Sequence, residues 1–159
     1  MTDITEYCEY CNNFFLKDYI NYTDIFKGTF EISGGSFVSP DFTLKSGQYF
    51  RIVGSDLNDG VYCNKLESMA LLQDETFTGQ LWLMAVPKAF VKLCDETDAW
   101  RTKYETAGGA NMSPYQSESV QGVYSYSKGS TGSTSGGAAV TWQAQFGKFF
   151  SAYRRISEL

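Results

Sequence analysis

Glu75–Phe90 reads ETFTGQLWLMAVPKAF, and the spacing of its apolar residues changes part-way along. From Glu75 to Met84 the residues are those of a strand. Pro87 follows, at a position suited to the first turn of a helix, which has no use for the missing donor. Beyond it Ala89, Phe90, Leu93, Cys94, Thr97, Trp100 and Tyr104 share one helical face, while Lys92 with Glu96 and Arg101 with Glu105 pair on the other side. Gly108-Gly109 stops that helix. A strand that runs directly into a long amphipathic helix makes the chain α+β.

Working back from Glu75, the period is two. Phe30 and Ile32 alternate with Thr29 and Glu31, Gly34-Gly35 supplies a hairpin turn before Phe37, and Phe42 and Leu44 follow Pro40 as a short edge piece. Tyr49–Val53 is dense in strand formers, and Asn58-Asp59-Gly60 turns into Val61-Tyr62-Cys63. These strands predict a small antiparallel β subdomain over residues 26–85. Phe30, Ile32, Tyr49, Ile52 and Leu81 are its expected inner face, with Phe50, Tyr62 and Trp82 exposed for contacts. At the N-terminus Asp3 and Glu6 have capping-box spacing, and Ile4, Tyr7, Cys8, Cys11, Phe14 and Phe15 form a helical stripe within residues 3–17. Asn12 and Asn13, as poor helix formers, weaken its end.

Working forward, Thr141 caps a last helix whose stripe is Trp142, Phe146, Phe149, Phe150, Tyr153 and Ile156. Arg154 and Arg155 there suit the negative end of its dipole. The expected architecture is one domain over residues 1–159. It has a helical core of N-terminal, long middle and C-terminal helices, with the small antiparallel β insertion between the first two.

Between the last two helices lies residues 111–140. Asn111–Gly129 (NMSPYQSESVQGVYSYSKG) is rich in Tyr and Ser and poor in aliphatic residues, and Gly129–Gly137 (GSTGSTSGG) is of low complexity. This is no core element, and it reads as an extended arm with a Gly/Ser-rich tract that gives it slack.

Composition limits the function. The chain has 159 residues, a net charge of −5 and 12 Phe, 11 Tyr and 3 Trp. An acidic chain lacks the basic face that grips nucleic acid regardless of sequence. The longest fully apolar run, Leu81–Val86, is too short to span a bilayer, and the acidic start is unlike a secretion signal. A cytosolic origin follows, and with it free thiols at Cys8, Cys11, Cys63 and Cys94. Cys8 and Cys11 form a lone C-x-x-C, but both fall on the helical stripe and there is no histidine to complete a mixed metal site. They read as buried small hydrophobes. The absence of histidine also removes the commonest general base and most triads. Ser117-Glu118-Ser119 and the acids Asp95, Glu96 and Asp98 read as solvated surface, so no enzyme, cofactor or metal is expected.

The combination S-E-S-x-x-G-x-Y-S-Y-S from Ser117 to Ser127, followed by a Trp-led C-terminal helix, resembles the head–tail connector (adaptor) proteins of tailed bacteriophages. QYFRIVGS (Gln48–Ser55), NDGVY (Asn58–Tyr62) and ETFTG…LMAVPKAF (Glu75–Phe90) are similar to the variant with a β insertion found in prophages of Gram-positive bacteria. Val120-Gln121-Gly122-Val123 stands where that family has Ile-Gly-Asp or Phe-Gly-Gly. The resemblance implies a homo-oligomeric ring of about twelve subunits, closed by a repeated heterologous interface. It implies a portal protein on one side and head-closure (stopper) or tail proteins on the other. DNA would pass through the channel without sequence-specific binding, and the place would be the virion's head–tail junction, assembled in the bacterial host cytoplasm. Tyr115, Ser117, Glu118, Gly122, Tyr124, Tyr126, Tyr153, Arg154 and Arg155 are the expected subunit and portal contacts. A head-closure or tail-terminator protein of the phage neck is the alternative reading, with a cytosolic aromatic-rich binding module third.

Overall fold

Alternating aromatic and β-branched residues between Ile25 and Leu83 do more than build an insertion. In the computed structural model, which describes residues 2–105, 117–120, 124–127 and 141–156, they form the largest element of the protein. Helix α1 (Thr5–Cys11) is followed by strands β1 (Ile25–Ser33), β2 (Ser36–Phe37), β3 (Tyr49–Val53) and β4 (Gly60–Cys63), a turn of helix α2 (Leu66–Met69) and strand β5 (Glu75–Leu83). Helix α3 (Lys88–Tyr104), strands β6 (Ser117–Val120) and β7 (Tyr124–Ser127) and helix α4 (Trp142–Phe150) complete the order. Two compact units result: Asp3–Pro87 together with Arg155, and Lys88–Arg154.

The first unit is a five-stranded antiparallel sheet of order β2-β1-β5-β3-β4. The last strand in sequence lies at its centre, paired to β1 from Ile25↔Trp82 to Ile32↔Glu75 and to β3 from Phe50↔Leu83 to Val53↔Gln80. Gly34 and Gly35 take φ of 60° and 75°, the left-handed pair that a two-residue hairpin needs, and join β1 to β2 as the sequence predicts.

Register decides which aromatics are buried. Side chains alternate across a strand, so one sheet face carries Phe26, Phe30, Ile32, Phe50, Ile52, Phe77 and Leu81. Ile32, Phe50, Ile52, Phe77 and Leu81 are buried there with Phe42 and Leu72, and Phe37, Leu44 and Met69 pack against them. Phe42 is a loop residue rather than an edge strand, its ring 5.1 Å from Phe37 and 5.8 Å from Phe26. The expected inner face was one position out on β3. Tyr49 cannot share a face with Ile52, and it is Phe50, expected outside, that is fully buried, stacked on Tyr62 at 5.8 Å.

A helical core with a small β insertion is overturned by this arrangement. The sheet is large, and apart from the 17-residue α3 the helices are short, at 7, 4 and 9 residues. Helix α1 ends at Cys11 because Asn12 turns left-handed (φ 49°), so Phe14 and Phe15 never join its stripe. The expected capping box does not form at its start: the N-cap is Ile4, with no side-chain cap, and the Asp3 carboxylate accepts instead from the Thr5 amide at 2.9 Å.

The described core of the second unit is rich in aromatic residues. Phe90, Leu93, Cys94, Thr97, Trp100 and Tyr104 of α3 are buried, as are Trp142, Phe146 and Phe150 of α4. Phe90 meets Phe150 edge-on at 5.7 Å and Trp100 meets Phe146 at 5.8 Å. Arg101 pairs with Glu105 at 3.0 Å, and the same carboxylate accepts from the Trp142 amide at the start of α4. Thr141 caps α4 by accepting from the Ala144 amide at 3.3 Å. That helix closes at Phe150, and a 3-10 turn carries the chain through Tyr153.

Candidate functional site

The sheet face opposite the aromatic core carries Arg51, and its cross-strand partner on β5 is Trp82. A buried apolar face dictates the register, and that register sets a guanidinium beside an indole. Arg51 lies 4.5 Å from the centre of the Trp82 ring and 3.7 Å from that of Phe14. Phe14 in turn meets Trp82 edge-on at 5.7 Å. The indole N–H is fixed by donating to the Gln80 side chain at 2.9 Å.

Phe14 reaches this position because the segment after α1 is a tied loop. Asn13 accepts through its side-chain oxygen from the Phe15 amide at 2.9 Å and from the Tyr19 hydroxyl at 2.7 Å. That hydroxyl accepts from the Phe14 amide at 3.1 Å. Asp18 accepts from the amides of Ile20 and Asn21, both at 2.9 Å, which holds its carboxyl below the usual range. Phe15 and Tyr22 have φ of 52° and 54°, left-handed values that cost a side-chain-bearing residue about 1 kcal/mol each.

Arg155 joins the same site. Its amide donates to the Cys11 carbonyl at 2.8 Å, and its carbonyl accepts from the Asn12 side chain at 3.4 Å. Its guanidinium sits 3.4 Å from the centre of the Tyr19 ring. Phe14, Tyr19, Tyr22, Arg51, Trp82 and Arg155 therefore line one open groove of about 510 Å³ in the first unit. Neither guanidinium has a carboxylate within ion-pair distance among the described residues, and one terminal nitrogen of Arg155 is buried with no hydrogen-bond partner among them. Burial holds the Arg51 guanidinium's pKa below its ordinary value, with the charges of Asp59 and Glu9 opposing that shift only in part.

Of the residues expected at contacts, the structure brings only Arg155 to this groove. Tyr153 belongs to the second unit, edge-on to Phe90 at 5.1 Å, and Arg154 is exposed there. Ser117, Glu118, Tyr124 and Tyr126 lie on β6 and β7, which pair antiparallel from Ser117↔Ser127 to Val120↔Tyr124. Tyr115 and Gly122 lie outside the described residues. Sequence reasoning missed Arg51, Phe14 and Tyr19. The signal available was the single charge inside the strand YFRIV, which a one-faced sheet must place opposite Phe50 and Ile52.

The cysteines offer no chemistry to this site. Cys8, Cys11, Cys63 and Cys94 are buried and in no disulfide, as expected of small hydrophobes in these positions. Burial, then the neighbouring Cys11, pushes the Cys8 thiol far up, away from the thiolate that nucleophilic or metal chemistry needs. No group of three or more potential metal ligands occurs among the described residues, and no helix among them is long and apolar enough to cross a membrane.

No protein family, curated protein or solved structure matches this chain.

Proposed function

We propose that this chain is an assembly protein of the neck of a tailed bacteriophage or prophage. Its role there is that of the head–tail connector (adaptor), a ring that docks on the portal and joins it to closure or tail proteins. The observation that carries the reading is the antiparallel pairing of β6 and β7, which lie within the S-E-S-x-x-G-x-Y-S-Y-S stretch. Strands β6 and β7 make a two-stranded sheet separate from the five-stranded one. Each has a single strand partner among the described residues, so each keeps an outer edge of backbone N–H and C=O groups. A two-stranded sheet alone is marginal in water and gains from adding a strand of a neighbour. Its two edges are different, as the repeated head-to-tail contact of a closed ring requires.

The role is assembly rather than catalysis, at the head–tail junction of the virion. A net charge of −5 suits a channel wall along which duplex DNA slides without being gripped. The reading rests on the motif order and that strand pairing, not on a helical core. The dominance of the sheet favours a second reading, a head-closure or tail-terminator protein, since such proteins are more purely β.

Co-expression with the portal protein encoded in the same genome, followed by electron microscopy, separates them. A ring on the portal's DNA-exit face establishes the connector. Binding only to a portal that already carries another ring establishes the closure role. A monomer that joins neither complex rejects both.

A further inference from the structure

We infer that the groove of the first unit is a receptor for a carboxylate side chain flanked by an aromatic or aliphatic residue on a segment of a partner protein. The inference stands on the groove alone and holds whichever neck position the chain occupies. Arg51 and Arg155 lie over the rings of Phe14, Trp82 and Tyr19 at 3.4 to 4.5 Å. A guanidinium held over a ring by cation–π attraction can still offer N–H groups to another partner. No carboxylate of the described residues takes those groups, and a buried nitrogen of Arg155 is without a hydrogen-bond acceptor among them. Both guanidiniums line an open groove, so their remaining N–H groups can meet an acceptor that enters it.

The acceptor's chemistry follows from the surroundings. A planar carboxylate matches the guanidinium fork with two parallel hydrogen bonds. A phosphate dianion would match it too, but the field of Asp59 and Glu9 acts on Arg51 and the chain is negative overall, which disfavours a second negative charge. The walls are ring faces and edges, with Tyr22 half exposed at 50 %, so the neighbour of the carboxylate on the incoming segment is apolar. Arginine between fixed aromatic rings is the composition of an interface hot spot. The hydrogen bonds that Tyr19 donates to Asn13 and accepts from the Phe14 amide, and that Trp82 donates to Gln80, hold those rings before any partner arrives, which lowers the ordering cost of binding.

The test is a nuclear magnetic resonance titration of the full ¹⁵N-labelled chain, read at the Trp82 indole N–H and the arginine Nε–H groups. The probes are the capped peptide acetyl-Gly-Phe-Glu-Phe-Gly-amide, its Gln counterpart and inorganic phosphate. The Glu peptide is expected to shift these signals saturably with a Kd of about 1 mM or tighter, and the Gln peptide to bind at least about tenfold more weakly. Arg51→Met and Arg155→Met should each weaken the Glu peptide toward the Gln value, with Arg51→Lys in between. The comparison of the two peptides on the unaltered chain needs no variant to fold. Equal binding of both peptides, phosphate binding as tight as the Glu peptide, or no binding by any probe overturns the inference. So does sedimentation equilibrium showing a dimer that Arg51→Met dissolves, which would seat a second copy in the groove.

Discussion

The guanidinium of Arg155 lies 3.4 Å from the centre of the Tyr19 ring, 136 positions earlier in the chain. Read along the sequence, Arg155 belongs to the last turn of a C-terminal helix, where a cation compensates the dipole. Helix α4 has ended by then at Phe150, and Arg155 is tied through its backbone to Cys11 and Asn12. Its charge serves a groove in the first unit instead of a helix end.

That contact is measurable as a coupling. In a double-mutant cycle of Arg155→Met and Tyr19→Leu, chemical denaturation should give an interaction of about 1 kcal/mol, the value of a partly exposed cation–π pair. Arg154→Met, at an exposed position, should couple to Tyr19→Leu by less than about 0.3 kcal/mol.

Gly79 sits where β5 meets β3, and a Cβ there would lie 2.1 Å from the Val53 carbonyl oxygen. The two strands would have to part, so Gly79→Ala should cost about 3 kcal/mol and lower Tm by roughly 10 °C in calorimetry. Gly34→Ala, with open space around it but φ of 60°, should cost only about 1 kcal/mol.

The side-chain hydroxyl of Thr141 takes one of the amides that open α4. Thr141→Ala should cost about 1 kcal/mol in thermal denaturation, while Thr141→Ser should be close to neutral.

Turns and helix starts were legible in the sequence because their causes are local. Gly34-Gly35, Asn58-Asp59-Gly60, Pro87 and Thr141 each act through φ, a missing donor or a cap, and each falls where the residues indicate. What was not legible depends on distant partners. Phe14 and Phe15 continue the spacing of α1, yet Asn12 and Asn13 spend their side chains and backbone on a loop, so the stripe breaks. The burial of Phe50 rather than Tyr49 is fixed only when β3 pairs with β5, and the same pairing brings Arg51 to Trp82. The balance of sheet over helix followed from those pairings too. The groove needed all of them at once.

The four thiols should be slow to react in the folded protein. Iodoacetamide at pH 8 should modify none of Cys8, Cys11, Cys63 and Cys94 on the timescale that labels all of them in guanidinium chloride, because each is buried. Mass spectrometry after a short pulse reads the count, and rapid labelling of Cys8 in the native state would contradict the burial that raises its thiol.

Glu75 supplies the pH dependence. Its carboxylate accepts from the Ser55 hydroxyl, from the Asp56 amide at 3.0 Å and from the Asn58 side chain at 3.0 Å. The Ser55 contact first, then the amide and Asn58, hold its pKa below the usual value. A carboxyl depressed in the folded state stabilises it above the unfolded pKa of about 4.3, and that contribution is lost as pH falls through the lower folded value. The stability difference between the unaltered chain and Glu75→Gln should therefore be constant from pH 7 to about pH 5 and shrink below about pH 4. Asn58 is the other half of this knot, fully buried, donating to the Gln73 carbonyl at 2.9 Å and accepting from the Gln73 amide at 2.8 Å. Asn58→Ala should cost about 3 kcal/mol at neutral pH, since it removes three hydrogen bonds made by a fully buried side chain, one of them to a carboxylate. It should also flatten the acid-side slope, because Glu75 loses a donor that favours its charged form. Urea denaturation across pH 3–7 on the three proteins reads both effects, and an unchanged slope in Asn58→Ala would mean that Ser55 and the backbone amides alone set the titration.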